Sequence, residues 1–221
     1  MCSSAVLLLI ARPCPGCGDT NWYVCPSCLD ALEPAPAISV PGAASASGVI
    51  RYEGTARSLV LEGKEPHGRH MLRWWADALA VVAPDDIDLV TWIPASRSGR
   101  RLRGYDHGRV LAGAVARRLG RRSARTLRRV DNRAQRGAGR DSRSEVDMCS
   151  TRRQHKKRLL LVDDVHTTGA SCRIAVTQLI ESGASRVDIR VMAVVPDLTR
   201  MSRRRAYSDR IGQTPGGASW T

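Results

Sequence analysis

Apolar and polar residues follow one another along the chain in blocks that predict an α/β fold. Uninterrupted apolar runs, typical of strands buried on both faces, occur at residues 88–94 (DLVTWIP) and 158–164 (RLLLVDD), and a third strand is predicted at 186–197. Amphipathic helices are predicted after the first two strands, at 105–120 and 171–183, each closed by a glycine. This alternation predicts a mostly parallel sheet flanked by helices.

The preceding segment is predicted to contribute one strand and two helices. Residues 49–54 (VIRYEG) are typical of a short strand, and residues 54–84 have helical spacing that is broken near Pro66. A further short strand is predicted within 124–130. One face of the second helix is predicted to join the core through Trp74, Trp75, Leu79 and Val82.

Composition divides the chain into four parts. Residues 33–48 are rich in Pro, Ala, Gly and Ser and predict a linker between a small N-terminal module, residues 1–32, and the α/β domain, residues 49–198. Residues 199–221 are predicted to form a loose basic tail. Within the domain, the loop 95–104 and residues 131–148 lack an apolar period and predict exposed loops.

The 221 residues carry a net charge of +14, and the excess is local. The segment from Arg117 to Arg158 holds 16 Lys and Arg residues against 4 Asp and Glu residues. Such a stretch is either a solvated basic surface or a binding site for a polyanion, namely nucleic acid or a phosphate-rich small ligand.

The apolar run Ala5 to Ile10 near the N-terminus has six residues, and Ala11 extends it only to seven, far fewer than the roughly 20 that span a bilayer. No basic residue precedes it, so a signal peptide is not expected. We therefore expect a cytoplasmic protein without membrane insertion. Thiols stay reduced there, so clustered cysteines indicate a metal rather than disulfides.

Four of the seven cysteines form two CxxC pairs, separated by seven residues, in the stretch CPGCGDTNWYVCPSC. Two such pairs can complete a tetrahedral four-sulfur shell, which leaves no open position and so predicts a structural Zn²⁺ site. The alternatives are two unrelated clusters or a redox-active CxxC. The predicted ligands are Cys14, Cys17, Cys25 and Cys28.

Two adjacent carboxylates, Asp163 and Asp164, end the apolar strand in LLLVDDVHTTGAS, residues 159–171. Neighbouring carboxylates raise one another's pKa unless a cation or hydrogen-bond donors compensate. A ribose diol with Mg²⁺ would do so. With the site empty, we expect the pair to contribute little to stability, because the two charges repel.

Hydroxyl side chains and a glycine follow these carboxylates and open a helix near Ala170. Helix N-termini with free N–H groups bind phosphate. The stretch therefore predicts a diol site beside a monophosphate site, the arrangement that ribose 5-phosphate requires.

The same stretch resembles the phosphoribosyl pyrophosphate (PRPP) signature of type I phosphoribosyltransferases, and residues 14–197 resemble the ComF family, in which a four-cysteine knuckle precedes such a domain. The stretch WIPASRSGRRLRGYDHGRVLAGAVARRLG resembles the family's strand, Arg-rich loop, Arg-Gly-aromatic turn and helix. Residues 105–107 read Tyr-Asp-His where the family usually has Phe-Asn-Gln. The stretch NRAQRGAGRDSR resembles its mobile lid.

The resemblance implies a type I phosphoribosyltransferase fold and a role for each matching residue. Asp163 and Asp164 would hold the ribose hydroxyls and, through them, Mg²⁺. The 5-phosphate would contact Thr167, Thr168, Gly169, Ala170 and Ser171. The pyrophosphate would face Ser96, Arg97, Arg100 and Arg101, of which Arg100 and Arg101 join the aspartates as catalytic residues, while Arg103 and Gly104 match the Arg-Gly turn. The lid would present Gln135, Arg140 and Arg143.

Three functions are compatible with these patterns. The first is Mg²⁺-dependent phosphoribosyl transfer to or from a nucleobase-like acceptor. The second is non-enzymatic binding of single-stranded DNA, linked to DNA uptake (competence) or repair and to their proteins. The third is PRPP sensing without turnover. The basic segment lacks the interleaved aromatic residues on which single-stranded bases usually stack, which favours the first.

Overall fold

The computed structural model describes residues 13–130 and 148–196. Its strands are β1 (Ser45–Arg51), β2 (Leu89–Trp92), β3 (Arg122–Ser123), β4 (Leu127–Arg129), β5 (Met148–Ser150), β6 (Arg158–His166) and β7 (Arg186–Val194). Five of them form one sheet in the order β1-β7-β6-β2-β3, in which every neighbouring pair is parallel. Strands β4 and β5 form a separate antiparallel pair.

Helices cover both faces of this sheet. They are α1 (Pro26–Asp30), α2 (Gly54–Glu62), α3 (Arg69–Val81), α4 (Arg97–Arg103), α5 (His107–Arg118) and α6 (Ala170–Glu181). Helices α2, α3 and α5 share one apolar core with one face of the sheet, and α6 shares a second core with the other face and the β4–β5 pair. The predicted α/β class, a mostly parallel sheet flanked by helices, is confirmed.

Strand β6 lies at the centre of the sheet, between β7 and β2. Residues 159–162 are fully buried, which is why their sequence is a continuous apolar run rather than an alternating one. The strand continues to His166, so the two aspartates lie inside its last residues and not behind it. Strand β1 starts at Ser45, within the segment predicted as a linker, because it pairs with β7 from that residue onward; the four-part domain division stays a prediction.

The Arg-rich segment 95–104 was expected to be a loop, and this expectation is wrong for most of it, which forms α4. The Ser96 hydroxyl caps this helix by accepting a hydrogen bond from the Gly99 N–H at 3.0 Å. Gly104, with φ 74°, ends it in a left-handed conformation. Because α4 presents no apolar face, periodicity could not reveal it.

The predicted core face of α3 is correct for most of its members. Trp75 and Leu79 are buried, and Trp74 packs partly buried against the same core. The prediction is wrong for Val82, which is 37% exposed, because it caps the helix after its last turn.

The predicted tail and all but the last residue of the predicted loop 131–148 lie outside the described residues; Met148 begins β5. Among the helices that the structure describes, none is long and apolar enough to cross a membrane.

Candidate functional site

The site lies where β2 and β6 end side by side. Val162 of β6 is paired with Trp92 of β2, and the two strands are parallel, so the segments that follow them leave the same edge of the sheet. Ligands of parallel sheets bind at this carboxyl edge. Segment 95–104 and the turn at 167–169 therefore leave the sheet at the same edge.

Asp164 is held by three donors from different parts of the chain. Its Oδ2 lies 2.9 Å from Lys64 Nζ and 2.8 Å from His107 Nε2, and its Oδ1 accepts from the Val165 N–H at 2.6 Å. Burial alone would raise the pKa of Asp164, but the hydrogen bond from His107 and the charge of Lys64 lower it below the usual range. This differs from the expectation that both carboxylates contribute little to stability, because Asp164 belongs to a buried ion-pair cluster.

The surroundings of Asp163 shift its pKa in the opposite direction. Burial, followed by the negative charge of Asp164, raises the pKa of Asp163 well above its usual value, and Lys64 and Arg129 offset this only in part. Of the two adjacent carboxyls, Asp164 is therefore the one whose ionised form its surroundings favour, and Asp163 is the one whose ionisation needs an additional cation or hydrogen-bond donor.

The donor atoms of Asp163, Asp164 and His107 lie within 4.8 Å of one another. Two carboxylates beside a phosphate-bearing substrate are the ligands that Mg²⁺ usually finds in proteins. The residues present thus fit a magnesium ion, with Asp163 as the carboxylate that such an ion would ionise. His107 is already engaged by Asp164.

The triplet Tyr105, Asp106 and His107 builds this arrangement. The Tyr105 hydroxyl lies 2.9 Å from the Gly63 carbonyl and 2.8 Å from the Glu65 carbonyl, and it thereby holds the turn that carries Lys64. Asp106 caps α5 by accepting from the Arg109 N–H at 3.4 Å. His107, the first residue of α5, reaches Asp164.

Sequence reasoning missed Lys64 and His107 as members of the site. The only signal for His107 was the departure of residues 105–107 from the family's Phe-Asn-Gln. Lys64 lies between two helices that are remote in sequence from β6, and no local pattern distinguishes it from a solvated surface lysine.

The turn after β6 brings together the residues expected to hold a phosphate. Thr167 and Thr168 are exposed, and Thr168 Oγ1 accepts from the Ala170 N–H at 3.4 Å. Gly169 has φ 72°, and a Cβ on it would lie 2.7 Å from His166 Cε1, so only glycine fits. Ser171 lies in the first turn of α6, whose first N–H groups have no partner within the helix.

The second set of expected residues lies on α4 and its caps. Burial lowers the pKa of Arg129; Asp163 and Asp106 oppose this, and Arg100 of α4 adds to it, so Arg129 lies within electrostatic range of both α4 and Asp163. Arg129 was not predicted; it donates from Nε to the Pro94 carbonyl at 2.6 Å at the end of β2. Ser96, Arg97, Arg101, Arg103 and Gly104 share the α4 segment, whereas the lid residues Gln135, Arg140 and Arg143 lie outside the described residues.

The four cysteines of the two CxxC pairs form one cluster, with sulfur atoms within 4.8 Å of one another. Zn–S bonds of about 2.3 Å in a tetrahedron place sulfurs about 3.8 Å apart, so this cluster fits a zinc ion. Backbone N–H groups point at two sulfurs, from Cys25 to Cys14 Sγ at 3.4 Å and from Cys28 to Cys25 Sγ at 3.4 Å.

The thiols of this cluster differ in the direction of their pKa shifts. Burial raises the pKa of Cys14, but backbone N–H groups, led by that of Cys25, outweigh it and lower the pKa to about 6. Burial and the neighbouring thiols raise the pKa of Cys28. Several thiolates therefore cannot coexist here without a cation, which is the condition that a bound zinc ion satisfies.

Among known proteins, similarity is found to solved structures. No family model matches the chain. No curated protein matches it. Solved structures that match include one described as the allosteric regulatory enzyme of purine biosynthesis (21% identity, TM-score 0.41), covering 56% of this chain and 26% of the other. A purine phosphoribosyltransferase from Pyrococcus horikoshii matches at 18% identity and TM-score 0.40, covering 56% of this chain and 73% of the other. An APRTase from Giardia lamblia complexed with 9-deazaadenine matches at 18% identity and TM-score 0.40, covering 81% of this chain and 90% of the other.

The chain spans about a quarter of the length of the first of these proteins. Similarity at such identities and TM-scores carries no information on substrate or activity. The function proposed below therefore rests on the residues of the strand-end site.

Proposed function

We propose that this chain is a ComF-type protein with a type I phosphoribosyltransferase domain, which binds PRPP at the carboxyl end of β6 and transfers its phosphoribosyl group to or from a nucleobase-like acceptor. One observation carries the proposal. The end of a buried strand carries two adjacent carboxyls, Asp163 with a raised pKa and Asp164 with a lowered one. A glycine turn follows them, and a helix begins directly after this turn.

Ribose and phosphate have matching partners at this strand end. The hydroxyl groups of Thr167, Thr168 and Ser171 and the first N–H groups of α6 surround the place where a 5-phosphate would lie. The carboxyls of Asp163 and Asp164, which come before this turn along the chain, accept hydrogen bonds from a vicinal diol. Because Asp164 is oriented by Lys64 and His107, the diol meets a preorganised acceptor.

The transfer breaks the bond from C1′ of the ribose to pyrophosphate and forms a bond from C1′ to a ring nitrogen of the acceptor, which gives up its proton. Mg²⁺, when bound with PRPP, neutralises part of the charge of the leaving pyrophosphate. Arg100 and Arg101 on α4 are proposed to stabilise the remaining negative charge. A bound cation and the hydroxyls of the diol would favour the ionised form of Asp163, whose pKa burial and Asp164 raise in their absence.

Zinc in the four-cysteine cluster is proposed to be structural, since four thiolates leave no open coordination position. The proposed cytoplasmic location rests on the apolar pattern of the sequence, and the proposed role in DNA uptake or repair rests on the family resemblance. PRPP binding without turnover is the alternative for the same site, and an activity assay distinguishes the two.

Calorimetric titration with PRPP in the presence of Mg²⁺ tests the binding. We expect saturable binding, weakened about tenfold or more by Thr168→Ala for both PRPP and ribose 5-phosphate, as a lost hydrogen bond to a charged group implies. Thr177→Ala, at an exposed threonine further along α6, is the matched control and should leave both affinities unchanged. Absence of saturable binding at millimolar PRPP would overturn the proposal.

Turnover is measured separately, as release of pyrophosphate from PRPP in the presence of a panel of purine and pyrimidine bases. We expect release with one class of base. Binding of PRPP without release for any base would assign the site to PRPP sensing.

A further inference from the structure

A cavity of about 820 Å³ opens beside α5, and its lining contains none of residues 163–171. Its walls come from the start of α3, the outward face of α5, the end of β2, and Ser123 of β3 with the residues that follow it. The turn Gly104–Asp106, which also borders the strand-end site, completes the lining. We call it the arginine groove, after the five side chains that dominate its lining: Arg69, Arg73, Arg109, Arg117 and Arg125.

The charge of this groove is unbalanced. Asp106 is the only carboxylate in the lining, against five guanidinium groups. Among the residues that the structure describes, none of the five is paired with a carboxylate: Arg69 lies over the Tyr105 ring at 4.8 Å, and Arg125 donates from Nε to the Leu127 carbonyl at 3.2 Å.

Arginines close to the groove but outside it do have acidic or carbonyl partners. Arg118, the residue after Arg117, donates from Nη2 to Asp77 Oδ2 at 2.9 Å. Arg121 donates from Nη2 to the Asp85 carbonyl at 3.2 Å. A carboxylate therefore neutralises Arg118 beside the groove, whereas among the described residues no carboxylate pairs with the five arginines that line it.

A buried hydrogen-bond donor also lines the groove. Trp92 is 5% exposed, and its indole N–H has no hydrogen-bond partner in the described part of the chain. A buried donor without an acceptor costs free energy, which an acceptor on a ligand would recover. The Ser123 hydroxyl, also in the lining, adds a further donor.

The floor of the groove is open at Gly113. A Cβ at this position would lie 3.8 Å from Ser123 Oγ and 3.9 Å from Arg117 Nη1, at ordinary contact distances. The absence of a side chain in the middle of α5 thus leaves room between these two donors. Gly113 does not have a positive φ, so its conformation alone does not require glycine.

We propose that the arginine groove is a second anion-binding site, which takes the phosphate chain of a small ligand such as a nucleoside triphosphate. The lining offers mainly donors and positive charge, so its ligand must be rich in acceptors and carry several negative charges. The volume lies within the roughly 300–1,000 Å³ of small-molecule sites. This site does not depend on the proposed function of the strand-end site.

Titration with inorganic tripolyphosphate, without Mg²⁺ and at physiological ionic strength, tests the groove. We expect the double variant Arg73→Gln and Arg117→Gln to weaken binding by about tenfold or more for each guanidinium removed, as expected for hydrogen bonds between charged groups. The control carries the same change of net charge at two exposed arginines outside the groove, Arg57→Gln and Arg152→Gln. Equal weakening in both double variants would show diffuse electrostatics and overturn the proposal.

A steric variant separates the site from net charge. Gly113→Leu fills the floor of the groove without altering any charge and improves helix propensity. We expect it to abolish tripolyphosphate binding while Gly113→Ala retains most of it. Undiminished binding by Gly113→Leu would refute the assigned location.

Two further measurements identify the occupant. Tripolyphosphate should shift the indole N–H resonance of Trp92, which is identified by its loss in Trp92→Phe. The variant Thr168→Ala, which affects the strand-end site, should leave tripolyphosphate binding intact. Loss of binding in Thr168→Ala would mean that there is one anion site. Adenosine triphosphate binding more tightly than tripolyphosphate would identify a nucleotide as the natural ligand, and equal affinity would identify the phosphate chain itself. Tighter, groove-dependent binding of single-stranded oligonucleotides would replace the small ligand with nucleic acid and overturn the proposal.

Discussion

Replacing the two adjacent aspartates one at a time should have unequal effects on stability. Asp164→Asn removes the negative charge that pairs with Lys64 and the carboxylate oxygen that His107 contacts, whereas Asp163→Asn replaces a carboxyl whose pKa is already raised by burial and by its neighbour. The two substitutions are identical in size and chemistry and lie one residue apart. Any difference between them therefore reports the electrostatic setting alone.

The structure gives a magnitude for each variant. The Asp164 side chain is 13% exposed and that of Lys64 is 22% exposed. Breaking a buried ion pair by removing one partner costs about 3–5 kcal/mol, and the partial exposure places Asp164→Asn at the lower end, about 3 kcal/mol. For a chain of this size that is a fall in Tm of about 6–12 °C. Asp163→Asn should change stability by less than about 1 kcal/mol, because burial and the neighbouring Asp164 already disfavour a charge at this position.

Urea unfolding of the zinc-loaded protein at neutral pH measures both changes, with an unaltered m-value as the check that only stability has changed. The variant Lys64→Met completes a double-mutant cycle with Asp164→Asn, and we expect a coupling free energy of about 1–3 kcal/mol. Both aspartate variants should weaken binding of PRPP with Mg²⁺. The reasoning is refuted if Asp163→Asn destabilises the protein as much as Asp164→Asn does.

The remaining predictions concern zinc, packing, pH and nucleic acid. Elemental analysis of protein purified without added metal should give one zinc per chain. Removal of this zinc by a chelator should lower the Tm of the whole domain, because the buried cysteines of the cluster belong to the same core as α2 and α3. Gly16→Ala should weaken zinc retention, since a Cβ there would lie 2.5 Å from Cys28 Sγ and 2.8 Å from Thr55 Cγ2; full zinc content after dialysis would contradict this. Because the pKa of Asp163 is raised, the folded state keeps the proton of this carboxyl at pH values at which the unfolded chain has lost it. The contribution of this group to stability is therefore complete below the unfolded pKa and is lost as pH rises through the folded pKa. Binding of PRPP with Mg²⁺ should accordingly release a proton, seen as a buffer-dependent heat that Asp163→Asn removes. Any affinity for single-stranded DNA should fall steeply with salt and show little sequence preference; salt-insensitive binding would point to a specific site.

Several features followed from local pattern alone. The run 159–162 is apolar at every position because a central parallel strand is buried on both faces, and this information lies in consecutive residues. The glycine turn after β6 could equally be predicted from the sequence, since the left-handed Gly169 and the hydroxyl groups around it lie within a few residues of one another. The two CxxC pairs lie within 15 residues, so their convergence needed little of the fold.

Other features had no local signal. Helix α4 has no apolar face, and its caps, Ser96 and Gly104, could equally have belonged to a loop. Strand β1 begins four residues earlier than expected because β7 is available to pair with it, which is a property of the sheet. Val82 keeps the apolar spacing of α3 but lies past the last turn, where spacing no longer determines the direction of a side chain.

The sequence by itself determined the α/β class, the place of the two aspartates at the end of a central strand, the turn that follows them and the four cysteines of the metal cluster. Only the tertiary structure decided that Asp164 is paired with Lys64 and His107 while Asp163 is left with a raised pKa, and that five arginines from α3, α5 and the segment after β3 face one groove. The physical reason is the range of the interactions. Strand burial, turns and metal-binding pairs depend on neighbours along the chain, whereas the ionisation of a carboxyl and the pairing of a guanidinium depend on charges that arrive from remote segments when helices pack on the sheet.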